Sequence, residues 1–400
     1  MRRSARPSER RTAAVGEHAL PGGERLDALQ ALRALAAGMV VFAHALAVWG
    51  HRQGIRPPDR SLEVLGSLGV KVFFVISGFI ITMSVARMPV AGGVAATRQF
   101  LRRRVIRVVP LYWLATAAAV VKLSVEGAGP SGAELARSLA FIPSRSDPVL
   151  FPGWTLNYEM FFYVGVAVVL LLSVRSRYVA LFAAFGTLML LRQVGVLAPG
   201  RLDVVYQWAD PLLVFFLAGV ALAIARDRIR ERLPFTLSLP AVLVVVLAVV
   251  VGYAMAARAG LHHAEALWMV LPLALVCVAV CVLPHIPATR HHRLRTGVVR
   301  AGDGSYSTYL THTLLLGAGT HLLATAHLAG HDLPFALGQV VLCTIAGVAL
   351  HTAVERPVIR RLNAAFVRSD QRHRSPMVGV QPGATVRSPA SLAAAPWRSS

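Results

Sequence analysis

The sequence predicts an all-α integral membrane protein of about ten transmembrane helices, with both termini in the cytoplasm. Three observations lead there. The 400 residues are 56% hydrophobic and 15% charged, and the mean hydropathy is +0.59, a composition of polytopic membrane proteins rather than of soluble domains. Apolar stretches near the length of a bilayer-spanning helix recur along the chain. The arginines then alternate with them. If the N-terminus is cytoplasmic, the inner segments hold 30 Lys and Arg residues and the outer loops hold 8, a strong positive-inside bias. The net charge of +22 also raises nucleic acid as a partner. The arginines sit between apolar runs rather than on one polar domain, so topology is the better account.

In chain order, residues 1–24 are basic and rich in Ser, Pro and Gly and read as a disordered tail. They lack the short apolar core and small-residue cleavage site of a secretory signal. A transmembrane domain follows over 25–362. Its spans fall at about 29–50, 66–86, 105–125, 154–173, 178–197, 205–225, 238–257, 265–284, 305–326 and 334–355. Arg192 and Arg201 crowd the junction of the fifth and sixth. The outer loop 126–153 contains Pro143, Pro148, Pro152 and Gly153 and is long enough for a short re-entrant piece lining a cavity. Residues 363–400 are polar and read as a second disordered tail. No internal repeat is visible. Cys277, Cys281 and Cys343 lie in apolar runs and read as buried, inert thiols.

The first span carries Arg33 and His44. Eleven steps of about 100° are three turns plus about 20°, so the two share a helix face, roughly 16 Å apart along the axis. Ionisable residues inside a bilayer helix are costly unless they face protein or water, and mark function by default. Snorkelling explains Arg33, near the helix start, but not His44, about four turns in. In the fourth span, Glu159 is expected at the depth of His44, where a carboxylate could orient the imidazole as the acid of a triad does. A structural hydrogen bond from Glu159 to the 126–153 loop is the bland alternative. At the inner mouth of the third span stand Arg102, Arg103, Arg104 and Arg107. They are either topological anchors or a phosphate clamp, since guanidinium forks suit phosphate oxygens. Tyr306, Tyr309 and His312 are expected in the inner half of the ninth span, with Glu355 on the same side near Arg33; a structural Glu355–Arg33 pair is as good an account as a catalytic role. Ser77 and Gly78 suit close helix packing in the second span. The His327–Asp332 spacing and the loop pairs His262–His263 and His291–His292 are best read as chance. No third ligand stands at metal spacing beside the pairs, so no metal is expected.

Taken in order, R-x10-H in the first span, VFFVISGFII, RRVIRVVPLYW, WTLNYEMFFY, YSTYLTH and the terminal Glu355-Arg356-Pro357 resemble the membrane acyltransferase-3 family over about residues 26–361. The fourth-span motif resembles its exopolysaccharide and O-antigen acetylase branch. Lys71 departs from the pattern, where an acidic or amide residue is common. The resemblance implies transfer of an acyl group, usually acetyl, from cytoplasmic acyl-CoA to a hydroxyl of an exported or lipid-linked glycan. It implies Arg33 and His44 as essential residues and Arg104 and Arg107 as the family's R-x-x-R. Beside these, Glu159 is expected to orient His44, and the donor site is expected to include Arg103, Arg104 and Arg107, with Tyr112, Tyr306 and His312 as further candidates. His44 would act as general base or as transient acyl carrier. Some relatives carry an extracytoplasmic esterase-like domain, so this protein is expected to act either alone or with a separate extracytoplasmic transferase as partner. The competing readings are a proton- or anion-coupled transporter, since buried His, Glu and Arg also mark ion pathways, and a structural subunit of a polysaccharide export assembly. The missing repeat weighs against the transporter.

Overall fold

Every regular element among the described residues is helical. The computed structural model describes residues 27–52, 61–88, 92–174, 176–200, 203–232, 292–324 and 332–374, with a few further positions between 248 and 277. The helices are α1 (Asp27–Arg52), α2 (Ser61–Ala86), α3 (Gly93–Val125), α4 (Gly132–Leu139), α5 (Gly153–Val169), α6 (Arg177–Gln193), α7 (Asp203–Trp208), α8 (Leu213–Arg232), α9 (His292–Asp303), α10 (Ser305–Ala324), α11 (Asp332–Leu350) and α12 (Arg356–Arg374). A π-helical turn, His351–Glu355, joins the last two. Among the described residues, four segments are long and apolar enough to cross a membrane: Asp27–Gly50, Leu65–Ala86, Gly93–Val125 and Leu333–Phe366. The class read from sequence, all-helical and membrane-spanning, is therefore met at this coarser level.

Seven of the expected spans coincide with helices to within a turn or so at one end or both. The sixth does not: 205–225 is two helices, α7 and α8, broken at Asp210-Pro211. Proline cannot donate to the helical ladder, and the Asp210 side chain accepts instead from Leu212 N at 2.9 Å. Arg192 joins this corner through Asp210 at 2.9 Å. The expected spans 238–257 and 265–284 lie almost wholly outside the described residues. In 126–153 the expected short piece is α4, opened by a capping box in which Ser131 Oγ and Glu134 exchange bonds with each other's backbone N–H. At the far end α12 runs on to Arg374, into the segment read from sequence as a tail.

Close packing explains which helices meet. A Cβ on Gly78 would fall 2.1 Å from Phe216 O, and one on Gly219 would fall 2.1 Å from Val75 O. Glycine at both positions lets the α2 and α8 backbones touch, as small residues do where lipid gives no hydrophobic drive to association. Helices α3 and α5 run antiparallel: Gly93 N donates to Leu170 O at 2.8 Å, Thr97 Oγ1 to Ala167 O at 3.1 Å, and Gly153 lies against the Tyr112 ring. Helices α1 and α9–α10 run parallel: Asp27 pairs with Arg295, Gly302 abuts the Gln30 carbonyl, and His44 reaches His312. On α11, Leu333, Leu337, Val341 and Ile345 are all more than half exposed. Their i, i+4 repeat makes an apolar stripe suited to lipid.

Candidate active site

Helices α1, α2, α3, α5 and α10 surround a cavity of about 100 Å³. Three guanidinium groups enter it, from Arg33, Arg104 and Arg107, beside one carboxylate, Glu159. The phenols of Tyr163, Tyr306 and Tyr309 line it too, and Val70, Phe73, Ile76, Ile80 and Leu156 make an apolar wall. Arg33 on α1 donates to Gln30 Oε1 at 3.2 Å and is 6% exposed. Arg104 on α3 donates to Ser84 Oγ at 3.2 Å and lies 5.8 Å from the Phe100 ring, while its buried Nε has no hydrogen-bond partner. Arg33 interacts electrostatically with Arg107, Glu355, Asp303 and Glu159. A buried cluster with this excess of positive charge is stabilised by an anion.

Five of the residues singled out in the sequence for donor or catalytic roles therefore meet at one cavity: Arg33, Arg104, Arg107, Glu159 and Tyr306. Others do not. Arg103 is exposed on the neighbouring face of α3. Tyr112 is fully buried, but its hydroxyl donates to Ser138 O at 3.1 Å and its ring meets Phe141 at 4.8 Å. It ties α4 to α3 and is not among the residues lining the cavity. Glu355 interacts with Arg33 electrostatically, while its direct partners are others: Glu355 Oε2 accepts from Ser307 Oγ at 2.6 Å and lies 2.9 Å from His351 Nδ1.

The expected pairing of Glu159 with His44 is also corrected. Glu159 Oε1 accepts from Ser77 Oγ at 3.0 Å and from Tyr163 Oη at 2.5 Å. His44 instead meets Phe151 edge-on at 5.6 Å and His312, whose Nε2 is 3.2 Å from His44 Nδ1. The reason is depth. Phe151 precedes α5, whereas Glu159 is six residues past Gly153, about 9 Å further along the axis. His312 falls in the N-terminal half of α10, the half expected for it. The helical path reaching it begins at His292, in α9, and Gly302 already lies at Gln30, so His312 stands at the level of His44 and outside the lining of the cationic cavity.

Backbone carbonyls set the tautomers of the two rings. His312 Nδ1 is 2.5 Å from Tyr309 O; a carbonyl only accepts, so that nitrogen carries the proton. In the neutral ring His312 Nε2 is then a lone pair. His44 Nδ1 faces two acceptors, this lone pair and Val40 O at 2.9 Å, so it carries the proton, in a three-centre arrangement. The remaining nitrogen, His44 Nε2, is left with the lone pair and can accept a proton. Tyr309 stands between the two sites: its ring lines the cavity, its carbonyl holds His312, and its hydroxyl meets Thr155 Oγ1 at 2.8 Å. Ser77, Tyr163 and Thr155 were absent from the sequence reading as site residues, because isolated hydroxyls in apolar helices carry no spacing signal.

Described residues offer no group of three metal-ligating side chains. What the fold and this site define is a membrane protein with a guanidinium-lined cavity and, one helix layer away, a pair of imidazoles in contact. A family model described as an acyltransferase domain matches residues 26–353, and the chain belongs to that family: it is a membrane acyltransferase. It is similar to the exopolysaccharide production protein ExoZ of Rhizobium meliloti (strain 1021), with 32% identity over 315 residues that cover 76% of this chain and 92% of the relative. No solved structure matches.

Proposed function

We propose that this protein is an integral membrane O-acyltransferase that moves an acyl group, acetyl in the simplest case, from cytoplasmic acyl-CoA to a hydroxyl of an exported or cell-envelope glycan. The observation that carries the reading is the juxtaposition of the triple-guanidinium cavity with the His44–His312 pair across Tyr309. Arg33, Arg104 and Arg107 receive the phosphates of the donor, with Arg103 as an outer contact. The acyl-bearing arm runs along the apolar wall past Tyr309. His44 Nε2 takes the proton of the acceptor hydroxyl as its oxygen attacks the thioester carbonyl; the thiolate then leaves and recovers that proton from the imidazolium. Every bond made and broken is thereby balanced. The similarity to a protein named for exopolysaccharide production supports a glycan as acceptor.

Ten spans with both ends cytoplasmic, in the cytoplasmic membrane, accompany this reading, supported by the 30-to-8 arginine distribution. A reporter fused after Arg374 is expected to read as cytoplasmic, and an external signal there overturns the map. The function itself is tested with purified protein, acetyl-CoA labelled in the acetyl group, and deacylated extracellular polysaccharide from the producing cells. Label passes to the polysaccharide with wild-type protein. With His44→Gln, which hydrogen-bonds but shuttles no proton, transfer falls by at least about 10²-fold while acetyl-CoA still binds. Transfer by a properly inserted His44→Gln variant at the wild-type rate overturns the mechanism.

A further inference from the structure

A second cavity, of about 80 Å³, opens at the N-terminal end of α5 between α4, the 140–152 loop and α7. It shares no lining residue with the cationic cavity, yet one stretch of helix serves both. Thr155, Leu156 and Glu159 face the donor side, whereas Trp154, Asn157 and Tyr158 face this one. Less than two turns of α5, residues 154–159, are thus the partition between two chambers.

The lining differs in kind. Arg137 is met by Glu134 and Asp147, so no excess of positive charge invites a phosphate. In its place are two primary amides, Asn157 and Gln207, and three large aromatic side chains, Trp154, Tyr158 and Trp208. Asn157 is only 7% exposed, and among the described residues its amide has no hydrogen-bond partner. Buried amides are almost always partnered, so this one is a vacancy for a ligand's donor and acceptor. Trp208 Nε1 is a buried donor that also lacks an acceptor. The walls are fixed independently of any ligand. Phe161 stacks on Trp208 at 4.8 Å, Trp154 meets Tyr158 edge-on at 6.1 Å, and Arg145 grips Asp203 through two bonds of 3.0 and 3.3 Å, pinning the loop to α7. That grip holds the Asp203 carboxyl below the usual carboxylate range.

We infer that this cavity is a saccharide-binding subsite for the acyl acceptor. A pyranose offers an apolar C–H face and an equator of hydroxyls that both donate and accept. Aromatic faces take the first, and near-neutral amides, which also donate and accept, take the second. The position suits the role. The 140–152 loop that closes the cavity continues to Phe151, whose ring touches His44, so a sugar held here presents a neighbouring residue's hydroxyl to the imidazole. The assignment of acceptor rests on the proposed function; the assignment of a saccharide does not.

The test uses the full chain in detergent and oligosaccharides obtained by depolymerising deacylated extracellular polysaccharide from the producing cells. Binding is followed by tryptophan fluorescence without donor. Wild-type protein binds saturably. Asn157→Ala and Gln207→Ala, which remove no protein hydrogen bond and so leave the fold intact, each weaken binding about tenfold, the loss expected for one buried hydrogen bond of about 1.4 kcal/mol. Acetyl-CoA affinity is unchanged in both, and Arg107→Ala leaves saccharide binding unchanged. Absence of saturable binding, or equal affinity in wild type and both variants, overturns the subsite. Saccharide binding without any acyl transfer to it leaves the subsite standing and overturns the proposed function instead.

Discussion

His44 and His312 lie 3.2 Å apart, Nδ1 to Nε2, on helices separated by most of the chain. The contact makes His312 a positioning residue whose lone pair helps keep the proton of His44 on Nδ1. His312→Leu removes one of the two acceptors and leaves Val40 O, at 2.9 Å, to hold the proton on Nδ1. A fall in kcat of about tenfold is expected, the worth of one hydrogen bond of about 1.4 kcal/mol, with donor KM little changed. His312→Asn offers a carbonyl oxygen in place of the lone pair and restores part of the rate. Equal loss in the Leu and Asn variants would reduce His312 to packing.

Arg104 and Arg107 are tested on the donor side. Each Ala variant removes a charge-assisted contact of about 1.5–3 kcal/mol, so donor KM rises about 10- to 100-fold. Salt weakens donor binding further by screening the charges that remain. Lysine rescues only in part, lacking the planar fork. Titration of acetyl-CoA into the variants reads the outcome; unchanged affinity in the double Ala variant would return both arginines to topological anchoring.

Glu159 separates two accounts of the site. If it oriented His44, Glu159→Gln would move the acid limb of the pH–rate profile, which arises because the base must be neutral and is lost as pH falls through its pKa. The carboxylate faces the guanidinium cavity instead. Glu159→Gln is therefore expected to alter acetyl-CoA KM and to leave the acid limb of kcat in place. Parallel measurement of both profiles decides it.

The α2–α8 contact predicts a stability effect far from the chemistry. Gly78→Ala puts a methyl group 2.1 Å from Phe216 O and costs about 1–3 kcal/mol by overpacking. Gly186→Ala, in α6 with nothing within 4 Å, is neutral or slightly stabilising. Thermal unfolding in detergent compares the two directly.

Much of this was legible in the chain. Apolar length located seven of the expected spans because hydrocarbon thickness constrains a helix more tightly than most tertiary contacts do. Arg33, Arg104 and Arg107 were recognisable because buried charge is rare in such helices. The pairing of His44 was not, because depth counted from expected helix ends is uncertain by a turn or more. One turn is about 5.4 Å, enough to exchange Glu159 for His312. Asn157 and Gln207 carried no signal at all: a polar amide near a helix end is ordinary until its lack of a partner is seen.

The π turn at His351–Glu355 has a mechanical consequence. A turn closed by i→i+5 bonds holds one residue more than an α turn. Helices α11 and α12 therefore form one rod in length but two in phase, offset by about 100°, the angle one residue subtends. Deleting a single residue from the turn would let the rod close into uninterrupted α-helix with the faces beyond it kept, whereas rewinding the turn as α-helix with its residue count unchanged would spin everything beyond it by that angle. Phe366, now under the Arg102 guanidinium at 5.7 Å, would swing off α3. Glu355, now on Ser307, would leave the core. The turn works as a keyway, and the hand of its offset decides which face of the last helix the rest of the protein can grip.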